Sequence, residues 1–284
     1  MSRVAPPLNR FLVNPRYSIF YRRGKKLVWP EQVRPEHSVV FVLGGNLNYE
    51  VGGNKGQAET GQILLLGPSE PFAATANDVE TLLLAFSSQF LIDYAVRVRL
   101  VGPTGNVSFS ISRLEKEHRL ENLGQDLTAE LLADGAGSEI VIAAVVEQMV
   151  VHLLRNFCNL RRSEELELSR VGLIDRRIRR AVELMQAQLH RELSLKEIAA
   201  ASFLSPFHFA RLFKKLTGAS PHAYLATLRT KRAQTLLAES DLSITEISSR
   251  VGYSNSSHFT QSFRQMTGLT PRAFRKALIS RHPR

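Results

Sequence analysis

Between Leu193 and Arg275 the chain runs through one pattern twice, and no other feature restricts its fold as much. The first copy, LSLKEIAAASFLSPFHFARLFKKLTGASPHAYL, starts at Leu193; the second, LSITEISSRVGYSNSSHFTQSFRQMTGLTPRAFR, starts at Leu242. Ser194, Glu197, Ile198 and Ser205 return 49 residues later as Ser243, Glu246, Ile247 and Ser254. After one inserted residue, His208, Phe209, Phe213, Thr217, Gly218 and Pro221 return at an offset of 50 as His258, Phe259, Phe263, Thr267, Gly268 and Pro271. So many matches in register mark one supersecondary unit used twice.

Each copy carries its own helix punctuation. Ser194-x-x-Glu197 and Ser243-x-x-Glu246 read as capping boxes that start a short helix. Ser205 and Ser254 are placed to cap the next helix, and Pro206 suits its first turn, where no N–H is needed. Gly218 and Gly268 supply the left-handed residue that ends it. Two short helices joined by a tight turn make a helix-turn-helix.

The second helix of each unit has two faces. Phe209, Leu212, Phe213 and Leu216 form an apolar stripe in the first copy, leaving Phe207, Ala210, Arg211 and Lys214 outward with Lys215 beside them. In the second copy Phe259, Phe263 and Met266 point inward, leaving Ser256, Ser257, Thr260, Gln261 and Arg264 outside. Small polar, amide and guanidinium side chains on a helix are the groups that read base edges in a major groove. His208 and His258 read as residues that pack at the helix start. Residues Pro221 to Glu239 read as one connecting helix of about 28 Å, close to the roughly 34 Å turn of B-DNA. One chain is thereby expected to reach two successive major grooves with unlike faces. Ahead of the repeat, Ile174, Ile178, Ala181, Val182, Met185 and Leu189 follow a helical period that buttresses the first unit, with Arg176, Arg177, Arg179 and Arg180 outward.

Charge agrees with this reading. The 284 residues carry 37 Lys+Arg and 26 Asp+Glu, a net of +11. Residues 1–169 hold 17 basic and 19 acidic side chains, and residues 170–284 hold 20 and 7, so the nets are −2 and +13. A half of that sign attracts a polyanion, either nucleic acid or an anionic membrane face. The single cysteine, Cys158, excludes an internal disulfide framework. The N-terminus lacks a secretory pattern, and the longest apolar run, Ile140 to Phe157, is interrupted by Glu147, Gln148 and His152. A cytoplasmic protein without a membrane partner is expected.

The N-terminal half reads differently. Strand candidates are Tyr17–Tyr21, Ser38–Leu43, Gln62–Leu66, Thr81–Phe86 and Val107–Ile111, separated by Gly-rich and Asn-rich turns, as in a small barrel or sandwich. Gly44-Gly45 and Gly52-Gly53 are expected to flank a hairpin turn. Two helices follow, Asn122–Ala133 and Ser138 to about Asn159. The apolar arc of the second is too wide for one surface, which predicts a homodimer interface built on Val146, Val150, Leu153 and Phe157. His37 has no second histidine near it, so no metal site is expected, and no phosphate loop, nucleophile elbow or dinucleotide fingerprint is present. Arg10, Arg16, Arg22, Arg23, Lys25 and Lys26 cluster within 17 residues. The first five are candidates to bind an anionic small-molecule effector such as a nucleotide or organic acid; the alternative is a basic arm on DNA or on the other domain.

The segments SLKEIA with SPFHFARLFKKLTGASPHAYL, then ITEISSRVGYSNSSHFTQSFRQMTGLTPRAFR, resemble the DNA-binding domain of AraC/XylS-type bacterial transcription regulators over residues 174–278. The pattern continues through Arg229, Ala233 and Leu236-Leu237, with one departure: Phe203 stands where the second unit has Gly252. The resemblance places base-facing positions on Phe207, Ala210, Arg211, Asn255, Ser256, Ser257 and Gln261. It implies an α+β chain, with a cupin-like β-barrel and two helices followed by an all-α domain of two helix-turn-helix units. Expected boundaries are 1–160 for effector binding and dimerisation, 161–172 for a linker and 173–284 for DNA binding. The implied function is a non-enzymatic regulator, an activator working with RNA polymerase, that needs no cofactor beyond its effector. An effector-independent architectural DNA binder is the competing class. A DNA-modifying enzyme, with Cys158 as nucleophile, is the second.

Overall fold

Runs of apolar residues buried on both faces set the sheet at the centre of the N-terminal half. The computed structural model describes residues 7–14, 16–34, 36–68, 70–100, 106–115, 117–161, 170–217 and 219–278. Its strands are β1 Leu8–Val13, β2 Tyr17–Val33, β3 His37–Val51, β4 Asn54–Glu59, β5 Ile63–Leu66, β6 Pro71–Phe86, β7 Asn106–Phe109, β8 Arg113–Leu114 and β9 Cys158–Arg161. The main sheet runs β1-β2-β6-β3-β5-β8 with β4 on β3, and β7 pairs with β9. All these pairings are antiparallel, with β6 between the long β2 and β3.

Alternation divides the side chains between two cores. Ile19, Tyr21, Val39, Phe41, Leu82 and Leu84 face helices α1 Ser88–Arg97, α2 His118–Ala133 and α3 Ser138–Asn156. Phe11, Phe20, Val40, Val42, Leu64 and Leu83 face the other way. That second core continues into the C-terminal domain through Ile247, Phe259, Phe263 and Phe274.

The C-terminal helices are α4 Arg170–Ala187, α5 Leu195–Ala201, α6 Pro206–Thr217, α7 Pro221–Glu239, α8 Ile244–Arg250, α9 Ser256–Thr267 and α10 Pro271–Ala277. The first unit has a core of its own: Ile178, Ala181, Met185, Ile198, Phe209, Phe213, Tyr224 and Leu228, joined by Val33 from β2. No helix among the described residues is long and apolar enough to cross a membrane.

Several expectations need correction. The strands expected at Tyr17–Tyr21, Ser38–Leu43 and Thr81–Phe86 are ends of strands 15 to 17 residues long. The turn at Gly52-Gly53 joins β3 to β4, but Gly44 and Gly45 lie in a bulged stretch of β3 against β6. Cys158 opens β9 rather than lying in a helix. Of the expected linker, residues 162–169 fall outside the described residues, and α4 already begins at Arg170.

Candidate nucleic-acid interface

The short helices that brace each unit are fixed at their first residue. Ser194 Oγ accepts from Glu197 N at 3.2 Å while Glu197 Oε2 accepts from Ser194 N at 2.9 Å. Ser243 and Glu246 repeat the pair at 3.2 and 2.8 Å. Hydrogen bonds from Ser194, then from Arg191, hold the Glu197 carboxyl down at about 2, and those from Ser243 lower Glu246 as well. The next helices differ in their caps. Ser205 Oγ accepts from His208 N at 3.4 Å. In the second unit Asn255, not Ser254, is the cap, its Oδ1 accepting from Ser257 N and His258 N at 2.7 and 3.3 Å.

Burial separates the two faces of α6 and α9. Phe209, Phe213, Phe259 and Phe263 are essentially fully buried. Arg211, Lys214, Lys215, Asn255, Ser257, Gln261 and Arg264 are exposed, with Ala210, Ser256 and Thr260 half-exposed among them. Phe207 is 80% exposed. All eleven sequence-derived positions therefore stand on outer faces. His258 packs edge-on against Tyr253 at 5.5 Å, but it and His208 are exposed, so the expected packing role fails for His208.

Two residues gain roles that spacing did not reveal. Phe203 holds a left-handed backbone, φ +54°, and is 74% exposed beneath the Arg180 guanidinium. Its mismatch with Gly252, itself at φ +83°, was the available signal. Arg229, on α7, donates Nε to Leu189 O at 3.1 Å and Nη2 to Arg191 O at 2.9 Å, and stacks over Tyr253 at 5.3 Å. It ties the entrance of the first unit to the turn of the second.

Of the five effector candidates, Arg22 is drawn into a seam with the second unit. It donates Nη2 to Thr267 O at the end of α9 and lies over Phe11 and Trp29. Gln32, with its amide turned to suit its neighbours, donates to Met266 O and accepts from Arg34 Nη2, both at 3.2 Å. Thr227 Oγ1 donates to Val33 O at 3.1 Å, Lys231 pairs with Glu36, and Phe11 meets Phe274 at 4.8 Å between ring centroids. Burial, aided by Arg34, pulls Arg22 down to about 10, still cationic at neutral pH, and its Nε has no partner. The five candidates do not converge. Arg22 and Arg23 are adjacent on β2; Arg10 lies opposite Tyr21, and Arg16 is exposed in the turn between β1 and β2. Arg22, Arg23 and Lys25 do line one groove of about 610 Å³, with Lys26 and Arg264.

The dimer candidates are misplaced. Val146, Val150 and Leu153 are fully buried in the domain's own core, with Phe157 packed against it. The large apolar residues that α3 exposes are Ile140 and Val141, at 76% and 46%. The error was one of helix phase: α1, α2 and the sheet together cover the arc assigned to a partner. His37 is buried, its Nε2 3.0 Å from Val107 O and its ring against Phe109. Burial pushes the Cys158 thiol up to about 12, opposite to what a nucleophile needs.

A family model described as a helix-turn-helix domain matches residues 198–277. Regulatory protein PocR of Salmonella typhimurium is 36% identical over 83 residues, 29% of this chain and 27% of PocR. The HTH-type transcriptional regulator ArgR of Pseudomonas aeruginosa is 33% identical over 130 residues, 46% of this chain and 39% of ArgR. This chain thus spans less than half the length of these two relatives. Among solved structures, a substituted apo form of ToxT from Vibrio cholerae strain SCE256 has a TM-score of 0.61 at 11% identity, covering 94% of this chain and 99% of its own. The wild-type form bound to an unsaturated fatty acid has a TM-score of 0.59 at 9% identity, covering 96% and 98%. The likeness to ToxT is one of fold, from sheet to second helix-turn-helix.

Proposed function

Because its C-terminal domain is the tandem helix-turn-helix of AraC/XylS-type regulators, we propose that this chain is a sequence-specific transcription regulator that answers to a small-molecule effector. The observation that carries the reading is the paired outer faces of α6 and α9, one aromatic and basic, the other polar, on units joined by the 19-residue α7. Inserted in successive major grooves, α6 reads through Arg211 and through apolar contact of Phe207 and Ala210 with thymine methyls, and α9 through Asn255, Ser256, Ser257, Thr260 and Gln261. Lys214, Lys215 and Arg264 suit phosphate. The working state is a cytoplasmic homodimer meeting through the Ile140 and Val141 side of α3, acting on promoter DNA as an activator of RNA polymerase. Footprinting on genomic fragments tests this: one discrete protected site of about two helical turns is expected. Uniform, sequence-tolerant coverage would leave an architectural binder instead.

The effector in this reading is anionic and acts at the seam. Arg22 and Arg34 offer guanidiniums beside Phe11, Phe20 and Trp29, partners for a carboxylate with an apolar tail; the ToxT fold is known with such a ligand. The seam encloses only about 40 Å³. An effector therefore enters as the seam opens, competing with Thr267 O for Arg22. Thermal unfolding with oleate, with acetate as the tail-less control, is the test. Stabilisation by oleate that vanishes in Arg22→Ala/Arg34→Ala supports the site; equal stabilisation of that variant overturns it.

A further inference from the structure

A cavity larger than the seam lies away from it, among the described residues of α1, α2 and α3, and shares no lining residue with it. It holds about 810 Å³, within the range of small-molecule sites, roughly 300–1,000 Å³. Three guanidiniums from three helices line it: Arg97 at the end of α1, Arg119 in the first turn of α2 and Arg155 in the last turn of α3. Among the described residues none of the three has an acidic side chain at ion-pair distance. Arg119 also stands where the positive end of a helix disfavours a cation, so helix stability does not explain it.

The rest of the lining is equally specific. Tyr94 is 5% exposed, and its buried hydroxyl makes no hydrogen bond of ordinary geometry, though Glu147 and Arg97 stand close enough to act on it. Its ring carries the Arg97 guanidinium at 4.7 Å. Gln148 adds an amide. His152 Nε2 lies 3.0 Å from Glu117 Oε1, so that acid and the histidine satisfy each other. Glu147 is the one carboxylate among the lining residues, against three guanidiniums. Like charges gathered from three elements and only partly offset by Glu147 cost stability, and a bound anion lowers that cost.

We propose that this cleft binds a small polyanion, a molecule carrying two or more phosphate or carboxylate groups, through Arg97, Arg119 and Arg155, with Tyr94 and Gln148 donating. Guanidiniums fork onto either acid group, and three of them exceed what one monoanion needs. A duplex is the poorer occupant, because this half of the chain carries 19 acidic side chains against 17 basic. A second copy docked two-fold on the cleft would set the three arginines against their equivalents.

Calorimetric titration of the full chain with pyrophosphate and, separately, citrate tests the proposal and distinguishes phosphate from carboxylate recognition. Saturable binding of at least one probe is expected. Arg119→Gln/Arg155→Gln should weaken it about 100-fold, near tenfold for each charge-assisted contact, while Arg22→Ala/Arg34→Ala leaves it unchanged. Arg119→Lys/Arg155→Lys, which keeps the charge but not the fork, should fall between, and serves as the readout if the Gln pair does not fold. No saturation by either probe overturns the proposal. So does wild-type affinity in the Gln or the Lys pair, or loss of affinity in the seam variant.

Discussion

Replacing Gly252 by alanine tests how the two DNA-facing units are held together. The residue lies at φ +83°, and a Cβ there would stand 2.3 Å from Leu189 O and 2.8 Å from Arg229 Nη2. The left-handed backbone alone costs an alanine about 1–2 kcal/mol. Relief of the overlap must come from a backbone carbonyl, which has to retreat by roughly 1 Å, and overpacking of this kind costs about 1–3 kcal/mol. That carbonyl accepts from Arg229 Nε at 3.1 Å, so the tie between α7 and the first unit weakens too. Against this, alanine restricts the unfolded chain and returns about 0.4–1 kcal/mol. The expected net loss is about 2–4 kcal/mol, a large part of an ordinary domain's ~5–15 kcal/mol. Gly268→Ala is the control within the same domain: φ is +77°, but its nearest neighbour is a side-chain nitrogen, Arg22 Nη1 at 3.2 Å, rather than a backbone oxygen at 2.3 Å. It should lose only the conformational part, about 1 kcal/mol. Phe203→Gly relieves the same backbone at an open position and should be neutral or stabilising by up to about 1 kcal/mol. Urea unfolding followed by far-UV circular dichroism measures all three. If Gly252→Ala costs no more than Gly268→Ala, the close approach to Leu189 O does not constrain the domain.

Other outcomes follow from the same contacts. Ser194→Ala and Ser243→Ala should each cost about 0.5–2 kcal/mol in urea unfolding. The Glu197 carboxyl is held at about 2, below its unfolded value near 4.3, so its contribution is full above about pH 4.3 and fades toward pH 2; Glu197→Gln should flatten that part of the stability–pH curve. Arg211→Ala should lose about 1–3 kcal/mol of discrimination between cognate and random DNA in competition binding, whereas Lys214→Ala weakens both equally. Val146→Glu, fully buried, should unfold the N-terminal domain by circular dichroism, whereas Ile140→Glu should keep the fold and dissociate the proposed dimer in sedimentation.

How much was legible follows from where the physics is local. Capping boxes, Gly268 and the Phe209/Phe213 and Phe259/Phe263 stripes act over three or four residues, so the helices of both units and the faces they expose could be read directly. The sheet was half legible. Tyr17–Tyr21 is apolar apart from Ser18, but the same strand continues through Arg22, Arg23, Lys25 and Lys26, which pairing with β6 keeps extended despite their polarity. The α3 error has the same origin. A wide apolar arc states how much surface must be covered, and only tertiary packing states that α1, α2 and the sheet cover it. The Arg/Lys cluster was legible only as charge: a strand sends neighbours to opposite faces, and folding brings Arg22, Arg23 and Lys25 to one groove but not Arg10 or Arg16.

The unequal way in which the two units meet the sheet has a consequence for signalling. The first unit's core takes Val33 from the sheet, whereas that of the second is continuous with one whole face of the sheet through Phe11, Phe20 and Phe274. Arg22 and Gln32 hold the last carbonyls of α9, where a cation is favoured by the helix dipole. A disturbance of the seam is therefore felt first at α9 and the groove it enters, with α6 buffered behind α7. Arg22→Ala removes a charge-assisted bond of about 1.5–3 kcal/mol from that junction. Hydroxyl-radical footprints of this variant should lose protection by about tenfold or more in the half-site under α9, with that under α6 changed much less. Equal loss over both half-sites would mean that the tandem units move as one body, and that Arg229, rather than the seam, sets their relation.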